Sequence, residues 1–168
     1  MSDNKPIRIG ELAKLLETEV WVLQSWVEQN IILDAGISKH RRFNETEVVI
    51  AHLINQLVGF NVTAPTLRAV AQTIREGIRL YTDILNGKPT AYFDIERDMG
   101  KALEGIRDGK RAWLVVAPKP QSGTQIHEYF VCPNHNWLTI ALSENDLPSA
   151  IVIDLAVTLG DYLRGGRE

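Results

Sequence analysis

No stretch of this 168-residue chain approaches the roughly 18 uncharged apolar residues that a helical membrane span requires. The opening MSDNKPIRIGE has no apolar core of the kind a secretory signal carries, so the cytoplasm is the expected compartment. One cysteine, Cys132, excludes an internal disulfide and suits a reducing environment. The Asn-x-Thr sequons at Asn44 and Asn61 then carry no glycosylation meaning. A phosphate-binding glycine loop, His-Glu-x-x-His and Gly-x-Ser-x-Gly are all missing, and no enzyme is expected. An excess of cations is missing as well. The net charge is −3; residues 1–88 hold ten Lys and Arg against ten Asp and Glu, and residues 89–168 hold eight against eleven. Affinity for a polyanion must therefore come from local clusters, not from a basic domain.

What is present is an ordinary globular mixture, 45% hydrophobic and 23% charged, enough for one medium domain or two small ones. The first half has helical periodicity. Leu12, Ala13, Leu15 and Leu16 make one apolar face, with Glu11 and Lys14 outside it. A second helix follows from about Glu19 to Gln29, opened by Thr18 or its neighbour, with Val20, Leu23 and Val27 at helical spacing and Trp26 in the core. Residues 33–43 have no helical period and read as a loop or short hairpin. Asn44 offers an N-cap, with Glu47 placed to complete a capping box. Val48, Ala51, Leu53, Ile54 and Leu57 line the helix that follows, which Gly59 ends. Thr63 and Pro65 open a longer helix, carrying Leu67, Val70, Ala71, Ile74, Ile78 and Tyr81, that stops before Asn86–Gly87.

The turn at Asn86–Pro89 is the expected boundary between two domains, 1–88 and 89–168. A helix is expected over 95–107 (Ile95, Met99, Leu103, Ile106), with Asp94, Glu96 and Asp98 suited to its N-terminal dipole. The runs AWLVVA, HEYFVC and WLTIAL predict three strands in a meander. Ile151, Leu155, Leu159 and Tyr162 predict a final helix between Pro148 and Gly165. That helix is apolar enough to pack on the sheet or on a second copy. His127, Cys132 and His135 contain a Cys-x-x-His spacing, yet zinc takes three or four protein ligands and no matching pair occurs elsewhere. An inward-facing strand cysteine and loop histidines are the simpler reading, with no metal and no cofactor expected.

Ile9-Gly10-Glu11-Leu12-Ala13-Lys14-Leu15, Asn30-Ile31-Ile32, Arg41-Arg42-Phe43 and Gly59-Phe60 follow one another in an order and spacing that resemble the winged helix-turn-helix of the MerR family. The resemblance spans Ile9 to about Arg68. Trp26 falls where the family commonly has Tyr. Members commonly carry Arg where this chain has Trp21 and Gln24, and a Gly-Val turn where it has Glu17-Thr18. The positions similar in type thus face the core, and those that differ face outward.

The pattern and the resemblance together predict an α+β protein in two parts. The resemblance implies a mostly α N-terminal winged helix-turn-helix. Past Arg68 the chain departs from the family layout, and its strand and helix patterns predict a small C-terminal module of three antiparallel strands plus helices, for dimerisation, effector sensing or partner docking. The resemblance implies a DNA-binding transcription regulator of bacterial type whose partner is double-stranded DNA. The candidate contacts are Lys14, Trp21, Gln24, Ser25, Lys39, His40, Arg41 and Arg42. Gln24 can pair with an adenine edge and Trp21 can touch a thymine methyl, while the basic wing residues would grip phosphates. Because a module of neutral charge binds DNA weakly, a homodimer on paired half-sites is expected. The competing expectation is a protein-interaction module, or a phage or mobile-element accessory factor, contacting a protein through Trp21 or the C-terminal module.

Overall fold

The computed structural model describes residues 6–36, 41–88, 99–119, 126–144 and 150–165. Two compact units divide the chain, Met1–Arg75 and Glu76–Glu168. The first contains β1 (Ile7–Arg8), α1 (Ile9–Leu15), α2 (Val20–Glu28), β2 (Arg42–Phe43), α3 (Glu45–Val58) and the start of α4 (Ala64–Leu85). The second contains the rest of α4, then α5 (Met99–Arg107), β3 (Trp113–Lys119), β4 (Ile126–Cys132), α6 (His135–Glu144), β5 (Ile151–Asp154) and α7 (Leu155–Gly165). The chain is α+β, largely helical, with a small three-stranded antiparallel sheet in its C-terminal part. The division falls inside α4, whereas the turn at 86–88 lies past its end. Locally that is because Tyr81 packs with the second unit: its side chain lies over Gly100, where any Cβ would meet the Tyr81 Cβ at 2.5 Å and its ring at 2.7 Å, and its hydroxyl donates to Glu104.

Four helices close in the same way. The residue after the C-cap takes the left-handed conformation, and the next backbone N–H reaches back to a carbonyl inside the last turn. Glu17 (φ 51°), Asn30 (φ 55°), Gly87 (φ 71°) and Gly109 (φ 81°) hold those positions. The returning bonds are Thr18 N to Ala13 O, Ile31 N to Trp26 O, Lys88 N to Asp83 O and Lys110 N to Gly105 O, at 2.8–3.0 Å. Glycine and asparagine tolerate this backbone, while a glutamate there costs about 1–2 kcal/mol. Glu17→Gly is therefore expected to raise stability by about 0.5–1 kcal/mol once glycine's extra chain entropy is subtracted. Thermal unfolding checks this; a lowered midpoint would show that Glu17 makes a compensating contact.

The apolar stripe of α3 is as periodicity predicts, with Val48, Ala51, Leu53, Ile54 and Leu57 all buried. It forms the floor of the first unit together with Leu12, Leu23, Trp26, Ile31, Ile32 and Phe43. Each such side chain contributes about 1.5–3 kcal/mol by leaving water. Two expected core positions are exposed, Leu15 at 43% and Val20 at 37%, and Val27 is only half-buried. Neither Thr18 nor a side-chain bond caps α2, whose N-cap is Glu19.

Asn44 caps α3 as expected, its Oδ1 accepting from Glu47 N at 3.0 Å, but Glu47 does not close the box. Its carboxylate turns inward and accepts from Leu33 N (2.8 Å), Arg75 Nε (2.7 Å) and Arg75 Nη2 (3.0 Å). An arginine fork offers more to a carboxylate leaving water than one further backbone N–H does.

In the second unit the sheet order is β4-β3-β5, not a meander. WLTIAL, expected as a strand, lies in α6. Asn134 Oδ1 accepts from Trp137 N at 3.1 Å and opens the helix, and Trp137, Leu138 and Ala141 fall at helical spacing as its half-buried side. The third strand is Ile151–Asp154, expected as the start of the last helix, and it pairs antiparallel with β3. Asp154 sets the junction: its Oδ1 accepts from Ala156 N (3.0 Å) and Val157 N (3.2 Å), capping α7. Central β3 buries Leu114, Val115, Val116 and Ala117 in succession, as a strand covered on both faces must. Leu155, Leu159 and Leu163 of α7 are buried within this unit, so its apolar stripe is already covered and gives no reason for self-association through that helix. Cys132 is buried in β4, and His135 meets the Trp113 ring edge-on at 6.2 Å. Among the described residues no three His, Cys, Asp or Glu side chains converge on a possible metal position. No described helix is long and apolar enough to cross a membrane. Residues Asp94, Glu96, Asp98 and Pro148 lie outside the described residues.

Candidate nucleic-acid interface

Helix α2 turns Leu23 and Trp26 into the core, which leaves Trp21, Gln24, Ser25 and Glu28 on the opposite side at spacings of three and four. Trp21 is 67% exposed, Gln24 is exposed, and Ser25 is half-buried. The Ser25 hydroxyl already accepts from Gln29 Nε2 at 2.8 Å, leaving its own proton for a further acceptor. Glu19 and Glu28 stand exposed at either end of this face. Lys14 is exposed in the last turn of α1.

Two arginines of α4 fasten the C-terminal end of α2. Arg68 Nε donates to Gln29 O at 2.8 Å, and Arg75 Nη2 donates to Ile31 O at 3.3 Å while its fork holds Glu47. Helix α2 has no basic residue in its own last turn, so these side chains supply the positive charge its dipole favours there. Asn55 of α3 holds the end of α1 with a neutral donor, its Nδ2 donating to Leu16 O at 3.1 Å. The angle at which α2 presents Trp21 and Gln24 is thus set by residues 28 to 44 positions away in sequence from the groups they hold.

Beside α2 lies the ribbon β1–β2. Ile7 pairs with Phe43 and Arg8 with Arg42, and the ladder continues through Ile9 N to Arg41 O at 3.2 Å. Arg41 and Arg42 are both half-buried. Arg41 Nη1 reaches Gln24 O at 3.4 Å, which places a guanidinium against the backbone of the candidate base-reading residue. Lys39 and His40 lie outside the described residues.

Of the eight residues expected at the interface, the structure therefore gathers Trp21, Gln24 and Ser25 on one helix face with Arg41 against it, while Arg42 lies across from Arg8 on the ribbon. Sequence reading passed over Arg8, Arg68 and Arg75. Arg8 sits in a two-residue strand, too short for alternation to show, and the α4 arginines look like any solvated charges of an amphipathic helix. Chemically the site offers guanidinium forks, which only donate, beside a glutamine amide that both donates and accepts. That combination suits phosphate oxygens and base edges.

Residues 7–74 match the family model of the MerR HTH family regulatory protein, so the N-terminal unit carries a MerR-type helix-turn-helix. No curated protein matches the chain.

Proposed function

From a MerR-type helix-turn-helix over residues 7–74, we propose that this protein is a DNA-binding transcription regulator. Helix α2 enters the major groove, with Gln24 and Trp21 at base edges and Ser25 beside them. Arg41 and Arg42, continued by Lys39 and His40, grip the flanking backbone, and Lys14 adds a contact from α1. The observation that carries this reading is Arg41 seated at Gln24 O, which joins phosphate-type and base-type donors into one surface. Two copies on paired half-sites supply the affinity that one neutral module lacks. The α+β module, proposed as residues 89–168, serves dimerisation, effector sensing or docking. The cytoplasm is the proposed compartment.

A second reading rests on Trp21. A 67% exposed indole between Glu19 and Glu28 has the make-up of a protein hot spot with an acidic rim. Titrating the protein against random-sequence duplex at several salt concentrations separates the two. DNA binding gives an affinity that falls linearly on a log–log plot, by about 0.9 for each phosphate contacted. Absence of duplex binding at low salt overturns the DNA reading in favour of a protein partner at Trp21.

A further inference from the structure

We infer that Arg8 and Arg42 together form one phosphodiester-binding site on the outer face of the β1–β2 ribbon, both guanidiniums closing on a single phosphate. The inference deepens the DNA reading by adding a residue from outside the wing and by fixing how many phosphates the ribbon takes. Strand alternation sets the faces. Phe43 is buried and its partner Ile7 is half-buried, so the next pair, Arg8 and Arg42, points the other way. Residues directly opposite on antiparallel strands have Cβ atoms about 4.5–5.5 Å apart, and like charges there repel.

The fold gives neither guanidinium of this pair a direct partner. Among the described residues neither guanidinium makes an ion pair or a hydrogen bond. Glu11, one turn from Arg8, spends its Oε2 on the Arg8 backbone N–H at 2.7 Å, leaving the side chain of Arg8 to solvent. Two guanidiniums carried on directly opposite residues offer planar forks whose geometry matches phosphate oxygens, and an anion between them would turn the repulsion into attraction on both sides. The ribbon belongs to the helix-turn-helix matched over residues 7–74, and the DNA reading on which this inference rests supplies a nucleic-acid backbone phosphate as the occupant.

The test uses the full chain and the variants Arg8→Gln, Arg42→Gln and the double. First, thermal unfolding is compared in sodium phosphate and sodium chloride at equal ionic strength. The wild type is expected to gain more from phosphate, each single variant to lose that extra gain, and Arg8→Gln to be the more stable protein in dilute chloride. Second, each protein is titrated with duplex across salt. Each single variant is expected to lose about one unit of salt slope, and the double also about one, because one phosphate is lost in every case. A wild type with no phosphate-specific gain, or a double variant that loses two units, overturns the shared site. A wild type that gains from phosphate but binds no duplex keeps the site and overturns the DNA reading instead.

Discussion

Replacing Arg75 by alanine is expected to destabilise the N-terminal unit by about 3–5 kcal/mol, because it strands a buried carboxylate. The Glu47 side chain is only 6% exposed, and two of its three hydrogen bonds come from Arg75. Without the fork, Glu47 keeps only Leu33 N, and Ile31 O loses a donor as well. The cost comes mainly from the abandoned charge and much less from the net worth of the pair. Removing both charges together, as Glu47→Leu with Arg75→Met, is therefore expected to cost less than Arg75→Ala alone. Urea unfolding followed by circular dichroism measures both variants, and a loss below about 1 kcal/mol for Arg75→Ala would show that the carboxylate finds water or another donor. A functional consequence follows from position. The pair anchors Ile31 and Leu33, just past α2, so loosening it lets the helix rock and weakens whatever α2 binds.

Arg41→Ala with Arg42→Ala is expected to weaken duplex binding and to flatten the salt dependence by about two units, one for each phosphate released. Both side chains are on the outer segment of the ribbon and neither belongs to the buried core, so the fold should survive, with stability changing by no more than about 0.5 kcal/mol. Circular dichroism on the same samples confirms that the chain is intact. An unchanged slope takes the ribbon out of the DNA interface and leaves Trp21 as the centre of a protein contact. Substituting Gln24 instead is expected to reduce discrimination between sequences with little change in slope, since an amide releases no counterion.

These two expectations differ in how visible their residues were beforehand. Arg41 and Arg42 stand in a motif whose neighbours, Phe43 and Asn44, are recognisable as a core residue and a helix cap. Glu47 and Arg75 were visible only as a capping candidate and a helix-surface charge. Their pairing joins positions on two helices, and no local pattern announces which side chains meet across such a span. The apolar run WLTIAL shows the same limit at short range. Six apolar and β-branched residues satisfy either a strand or a helix turn by turn. Asn134 and Asp154 decided the outcome by capping two helices that flank Ile151–Asp154, a strand where a helix was expected.

Determined by sequence alone were the helices of the first unit, the buried stripe of α3, the cap at Asn44 and the stop at Asn86–Gly87. Each depends on bonds within about four residues, so the information sits in one short window. Decided by tertiary structure were the inward turn of Glu47, the arginines that aim α2, the placement of β5 at the sheet edge, and the meeting of Arg8 with Arg42. Those rest on partners 28 to 44 residues apart, or on which of two apolar segments reaches the free edge of β3. Burial rewards such pairings only once the whole unit has closed around them, which is why they appear in the packed chain and not in its local pattern.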